Sequence, residues 1–239
     1  MLTLGTCGQT LESKMAFTIN NEDGANGEFQ VVTTVAPSTL TQPVGSGMRG
    51  RRSLRVFVSG GDVAFGTLFL PNNVVATASN SVFIGFFLKV VSTPNWVNTD
   101  AVWLVNFFNG VTSRGYVQLL NVAGSTVLTV NIVDSFLGTS TFTDTQALGT
   151  TEHYVMVTAN WTTVTTGLYL DGTLRGTASG VPAPFAGPDR MVMGSTATFG
   201  APTITYDLDM LKFDTALSGV QATVWPPVAT YHNQMQGNR

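Results

Sequence analysis

Residues 152–175 read EHYVMVTANWTTVTTGLYLDGTLR. From His153 to Trp161 the run alternates, with Val155, Val157 and Ala159 on one side and Tyr154 and Met156 on the other. A period of two is the period of a strand. Leu168-Tyr169-Leu170 and Thr173-Leu174-Arg175 then flank Asp171-Gly172. Asp-Gly between two short strands specifies a tight hairpin, because both turn positions need positive φ. The stretch therefore reads as three successive antiparallel strands.

Working outward, the same grammar continues. Strand-like runs fall at residues 54–58, 63–70, 81–91, 101–108, 116–121, 126–133, 190–194 and 203–213. Pro71-Asn72-Asn73, Asn109-Gly110 and Ala123-Gly124-Ser125 punctuate them. Residues 217–224 allow one short helical turn from Ser218. No internal repeat and no linker divides the chain. Many short, turn-bounded strands predict an all-β sandwich or barrel. Residues 81–91 are apolar on both faces, with Phe83 and Phe87 on one and Ile84, Phe86 and Leu88 on the other. Residues 101–108 repeat that pattern. A strand hidden on both faces reads this way, so the face turned away from a sandwich core must meet a loop, an arm or another subunit.

The run at 152–175 resembles the central motif of laminin-G-like, concanavalin A-like jelly-roll domains, in which a strand of type H-x-V-x-V-T leads into L-Y-x-D-G. Met191-Val192-Met193-Gly194, the run Tyr206-Asp207-Leu208-Asp209-Met210-Leu211-Lys212-Phe213 and then Ala216-Leu217-Ser218 look like that family's closing segment. Arg52-Ser53-Leu54 fits its opening. The resemblance implies an antiparallel two-sheet jelly-roll sandwich over residues 44–224. Residues 1–43 are then an N-terminal arm with strands added to or packed on the sandwich, and residues 225–239 an irregular C-terminal tail. The fold hosts lectins, glycosidases, adhesion modules and viral structural proteins, so it does not choose a function.

Composition narrows the choice. Of 239 residues only 10% are charged and 44% are hydrophobic, and the formal net charge is -3. Disorder requires the opposite balance. No basic excess drives general nucleic-acid binding. A single cysteine, Cys7, excludes a disulfide scaffold and reads as a structural or incidental thiol. The opening residues show no secretory signal, and the longest apolar runs are about half a bilayer span. The expectation is synthesis in a cytoplasm, no membrane and no nucleic acid.

The resemblance also implies a calcium or sugar site at a sheet edge. Asp207 and Asp209 lie two apart on a strand and share a face, which permits a calcium site; the alternative is Asp209 anchoring a loop through backbone hydrogen bonds. No other cofactor is expected. Asp171 reads as a turn former and His153 as a strand residue. Glycosidases of this general fold use two nearby carboxylates, and Glu12, Glu22, Glu28 and Glu152 form no such cluster. No Ser-His-Asp set or metal-ligand cluster appears, and Gly45-Ser46-Gly47-Met48-Arg49-Gly50 lacks the strand and helix of a phosphate loop. Arg49, Arg51, Arg52 and Arg55 gather in one segment, either to grip an acidic partner or as a solvated loop. Trp96 sits in a polar, turn-like context, available to stack on a sugar or to pack. Trp103 and Trp161 read as core or interface, and Trp225 as a staple for the C-terminal arm.

Three function classes follow. The leading expectation is a non-enzymatic viral structural protein, a phage capsid decoration or minor capsid protein found in the virion. Its partners would be other structural proteins of the particle and further copies of itself. Low charge, two-faced strands and arms motivate it, with a likeness in style to jelly-roll domains of phage structural proteins. The alternative is a carbohydrate-binding adhesin or fibre head that recognises host glycans. The third, and weakest, is a glycoside hydrolase.

Overall fold

The computed structural model describes residues 17–19, 29, 31–48, 52–69, 82–134, 138–181 and 188–214. Arg49, Arg51, Cys7, Trp225, the helical turn expected at 217–224 and the tail at 225–239 lie outside them. The described residues hold sixteen strands and no helix. They are β1 (Phe17–Ile19), β2 (Val31–Thr34), β3 (Thr39–Thr41), β4 (Leu54–Val58), β5 (Ala64–Phe69), β6 (Val82–Asn95), β7 (Ala101–Asn109) and β8 (Thr112–Val122). Then come β9 (Ser125–Asp134), β10 (Gly138–Thr143), β11 (Glu152–Asn160), β12 (Thr165–Leu170), β13 (Thr173–Ser179), β14 (Arg190–Ser195), β15 (Thr198–Phe199) and β16 (Thr203–Asp214).

They form two antiparallel sheets packed as a sandwich. Sheet A runs β13-β12-β11-β6-β16-β4-β3 with β1 also on β16; sheet B runs β10-β9-β8-β7-β14-β5-β2 with β15 on β7. The hairpins expected at 171–172 and 123–124 are present. Asp171 and Gly172 have φ of 51° and 81°, and Ala123 and Gly124 of 51° and 87°, the positive values that such two-residue turns require.

Alternation sets the core. Val155, Val157 and Ala159 of β11, Ile84, Phe86 and Leu88 of β6, and Leu128, Val130 and Ile132 of β9 all point between the sheets. Trp161 follows β11 into the core, where it meets Phe107 edge-on at 5.7 Å and donates its indole N–H to the Arg114 carbonyl at 2.8 Å. One flank of the sandwich is closed by Arg175 of β13, whose guanidinium takes the buried Asp144 carboxylate at 3.0–3.2 Å.

The second apolar face of β6 is also covered. Phe87, Tyr154 and Met156 form a small cluster on the outer side of sheet A, with Met48, Phe83, Tyr169 and Met210 packed against it. Phe87 and Tyr154 are cross-strand partners with ring centroids 4.8 Å apart. Of the three covers expected for this face, a loop takes the role: the segment carrying Met48 folds back over the sheet. It is pinned by Ser46, which donates to the Pro43 carbonyl at 2.6 Å and accepts the Ser53 amide at 3.2 Å.

Candidate functional site

Asp207 and Asp209 do share the outer face of sheet A, and both are engaged within the protein. Asp207 lies in register with Arg55 on β4 and Lys89 on β6. Arg55 Nε and Nη2 reach its two oxygens at 2.8 Å each. This charge-assisted pair raises the Arg55 pKa above its ordinary value. Asp209 Oδ2 accepts the Met48 amide at 2.9 Å, the loop-anchoring role that was the alternative to a ligand role. A calcium ion binding this pair would have to displace a guanidinium and a backbone amide. Among the described residues no three His, Cys, Asp or Glu side chains gather as metal ligands.

The arginine cluster is divided. Arg52 donates to the Gln42 carbonyl, and Arg55 is committed to Asp207. His153 and Asp171 come together: His153 Nδ1 lies 2.8 Å from Asp171 Oδ2, and Nε2 3.1 Å from the Thr151 hydroxyl. Asp171 Oδ1 also accepts the Tyr154 amide at 2.8 Å. The side chain of Asp171 is 53% exposed, so water competes for it and the array serves as a latch on the hairpin. Trp96 packs against the main core with its indole nitrogen buried, and its carbonyl accepts from Asn121 at 2.9 Å.

The outer face of sheet B holds a constellation that sequence reasoning missed. Register places Thr141, Asn131, Tyr116, Asn106, Val192 and Thr67 in one row across six strands. Their chain neighbours Val130, Ile132, Val117, Val105, Phe107, Met191 and Met193 face the core, so this row faces out. The adjacent row is Thr143, Thr129, Gln118 and Trp103. Trp103 and Tyr116 are diagonal neighbours and stack at 4.6 Å and 10°, within reach of cross-strand aromatics. On the other side of the first row, Ser113, Phe108 and Arg190 align. The Arg190 guanidinium lies 4.7 Å over the Phe108 ring.

Small polar side chains form the floor between these aromatics. Asn106, Thr129 and Asn131 point outward yet are buried. Asn106 donates to Thr196 at 3.3 Å and accepts from Ser113 at 3.0 Å. Asn131 donates to Thr141 at 2.6 Å, while its Oδ1 has no partner. Burial raises the Tyr116 pKa. Gly115 makes the close approach beneath the aromatics possible. Its φ is 143°, and a Cβ there would lie 2.4 Å from the Asn131 carbonyl oxygen.

Chemically, the accessible part of this surface offers the Trp103–Tyr116 pair, the Gln118 amide, the hydroxyls of Ser113, Thr141 and Thr143, and one cation, with no carboxylate in the three rows; the buried Asn106, Thr129 and Asn131 support it from beneath. Aromatic faces take apolar ring surfaces while amides and hydroxyls fix orientation through hydrogen bonds. The missed signal was modest. Asn106 is the one polar residue in AVWLVNFF, residues 101–108. A bulge between Trp103 and Val105 shifts the register, so simple parity misplaces Trp103.

No protein-family model matches the sequence, and no curated protein matches it. Solved structures do resemble the fold. An endo-β-1,4-glucuronan lyase from the fungus Trichoderma reesei superposes with TM-score 0.62 at 12% identity, covering 85% of this chain and 97% of that one. Botulinum neurotoxin type C, whose cell entry depends on interaction with two ganglioside molecules, gives 0.57 at 11% identity, with 87% and 46% covered. The binding domain of botulinum neurotoxin DC in complex with SialylT gives 0.58 at 11%, with 95% and 52% covered. The chain thus spans about half the length of those neurotoxin chains. At these identities the likeness is one of fold, two antiparallel sheets packed as a concanavalin-like β-sandwich.

Proposed function

We propose that this chain is a carbohydrate-binding β-sandwich whose sugar site is the outer face of sheet B. The observation that carries the reading is the stacked, partly exposed Trp103–Tyr116 pair set beside the outward-facing Gln118 amide and the exposed hydroxyls of Thr141 and Thr143. The neurotoxin neighbours that interact with gangliosides or carry SialylT, and the lyase that acts on a glucuronan, support it as analogues in fold. The reading is of binding without turnover, because the three rows lack the carboxylate pair of a glycosidase. It is also independent of calcium, since Asp207 and Asp209 are engaged elsewhere.

A glycan array with and without chelator tests this. Binding that survives chelator and fails in Trp103→Ala supports the reading; no binding in either condition removes it.

A particle-assembly role is the second reading. Val32, Val35 and Val44 are exposed at 42%, 45% and 61% on and beside the edge strands β2 and β3, a surface suited to meeting another structural protein or a second copy. In this reading the chain decorates a phage capsid. Light scattering together with binding to purified particles tests it, and a monomer that ignores particles counts against it.

A further inference from the structure

We infer that the ligand of the sheet B face is an acidic glycan whose carboxylate is recognised by Arg190. The inference rests on the carbohydrate-binding reading above and extends it to a ligand class. The chain has only 11 Lys and Arg residues, and most of the described arginines are visibly occupied. Arg55 and Arg175 each hold a buried aspartate through paired hydrogen bonds, and Arg52 serves a backbone carbonyl. Arg190 differs. It lies on the Phe108 ring at 4.7 Å and makes no ion pair with a described carboxylate, and its Nε is buried with no acceptor. The neighbouring Asp189 is turned to the Gly110 amide at 2.9 Å.

A guanidinium stacked on an aromatic ring is held in plane, which leaves its fork of donors pre-aimed at a planar anion. Arg190 is half-buried. Arg190 and Val192 project to the same side of β14, and Val192 is in register with Asn106 and Tyr116. Tyr116 on β8 and Arg190 on β14 are offset by two residues along the strands and by two strand spacings across the sheet, which puts their Cα atoms roughly 12 Å apart. An oligosaccharide with one unit on the aromatic pair therefore sets the carboxylate of its next unit within reach of the Arg190 side chain. No acidic side chain in the three rows opposes it.

Titration calorimetry on the full chain tests this with matched ligands. Oligogalacturonate is compared with its methyl ester, and sialyllactose with lactose; each pair differs chiefly in the carboxylate, and the two pairs separate a uronate from a sialate source. We expect at least one acid to bind about tenfold to a hundredfold more tightly than its neutral counterpart, the value of a charge-assisted pair. The preference should weaken with added salt. Arg190→Gln should collapse the acid-to-neutral ratio towards one, and Arg190→Lys should restore part of it. Equal binding of acid and neutral forms, still sensitive to Trp103→Ala, overturns the inference and leaves the carbohydrate reading standing. Acid preference that survives Arg190→Gln also overturns it. Absence of binding to every one of these sugars overturns both.

Discussion

Removing Arg55 tests whether the aspartate on β16 is a structural anion or a ligand. Arg55 and Asp207 face each other in register, joined by two hydrogen bonds of 2.8 Å. Their side chains are 36% and 2% exposed. Breaking a fully buried pair costs about 3–5 kcal/mol, whereas an exposed pair is worth about 0.2–1 kcal/mol. The partly exposed guanidinium lets water reach one side, so the expected cost of Arg55→Met is intermediate, about 2 kcal/mol. With a urea m-value of about 3 kcal/mol/M, the midpoint should fall by about 0.7 M. The melting temperature should fall by about 4–8 °C. Asp207→Asn should cost less, because Arg55 can turn towards water while a buried carboxylate cannot. The double variant Arg55→Met/Asp207→Leu should recover at least half of the loss, since the orphaned charge is gone. Millimolar calcium should leave the wild-type melting temperature where it is. A midpoint shift below about 0.2 M for Arg55→Met, or strict additivity in the double variant, would refute the reasoning.

Further perturbations probe the core, the pH response and the hairpin. Gly66→Ala places a Cβ 2.4 Å from the Phe29 ring, so it should destabilise by about 1–3 kcal/mol through overpacking; in Phe29→Ala it should cost far less, read by urea melts. Tyr206 is fully buried, its pKa is pushed well above the ordinary value by desolvation, and its hydroxyl donates to the Trp103 carbonyl at 3.3 Å. A raised folded-state pKa means stability is complete below the unfolded value of about 10 and falls as pH rises above it. Urea midpoints should therefore decline above about pH 10, less steeply in Tyr206→Phe. Asp171→Ala should loosen the hairpin by about 1–2 kcal/mol, through lost hydrogen bonds and a residue ill-suited to φ of 51°. Asp171→Asn should be milder, because Asn tolerates that conformation; hydrogen exchange at Tyr154 reads the difference.

Much of the fold was legible because local rules agreed with tertiary demands. The Asp-Gly turn, the alternation of Val155, Val157 and Ala159, and the doubly apolar face of β6 each dictated its own outcome. The extent of strands was less legible. The β6 strand continues through Pro94 to Asn95, and β3 and β10 are short edge-side strands of sparse hydrophobicity. The candidate site was least legible, for a physical reason. Whether a Trp is platform or packing depends on which face its strand turns outward, and a single bulge reverses that parity. Trp96, in a polar loop, turned inward, while Trp103, in an apolar strand, lies on the outer face. Arg55 and Asp207 lie 152 residues apart in sequence, so only the register of β4 on β16 reveals that each occupies the other.

Backbone amide NMR of the labelled full chain, titrated with the bound glycan, locates the sugar on sheet B or elsewhere. Shifts should concentrate at Tyr116, Gln118, Trp103, Asn106 and Asn131, vanish in Trp103→Ala and persist in Trp96→Ala. Shifts confined to the loop around Trp96, or to the Asp207–Asp209 face of sheet A, would contradict a site on sheet B.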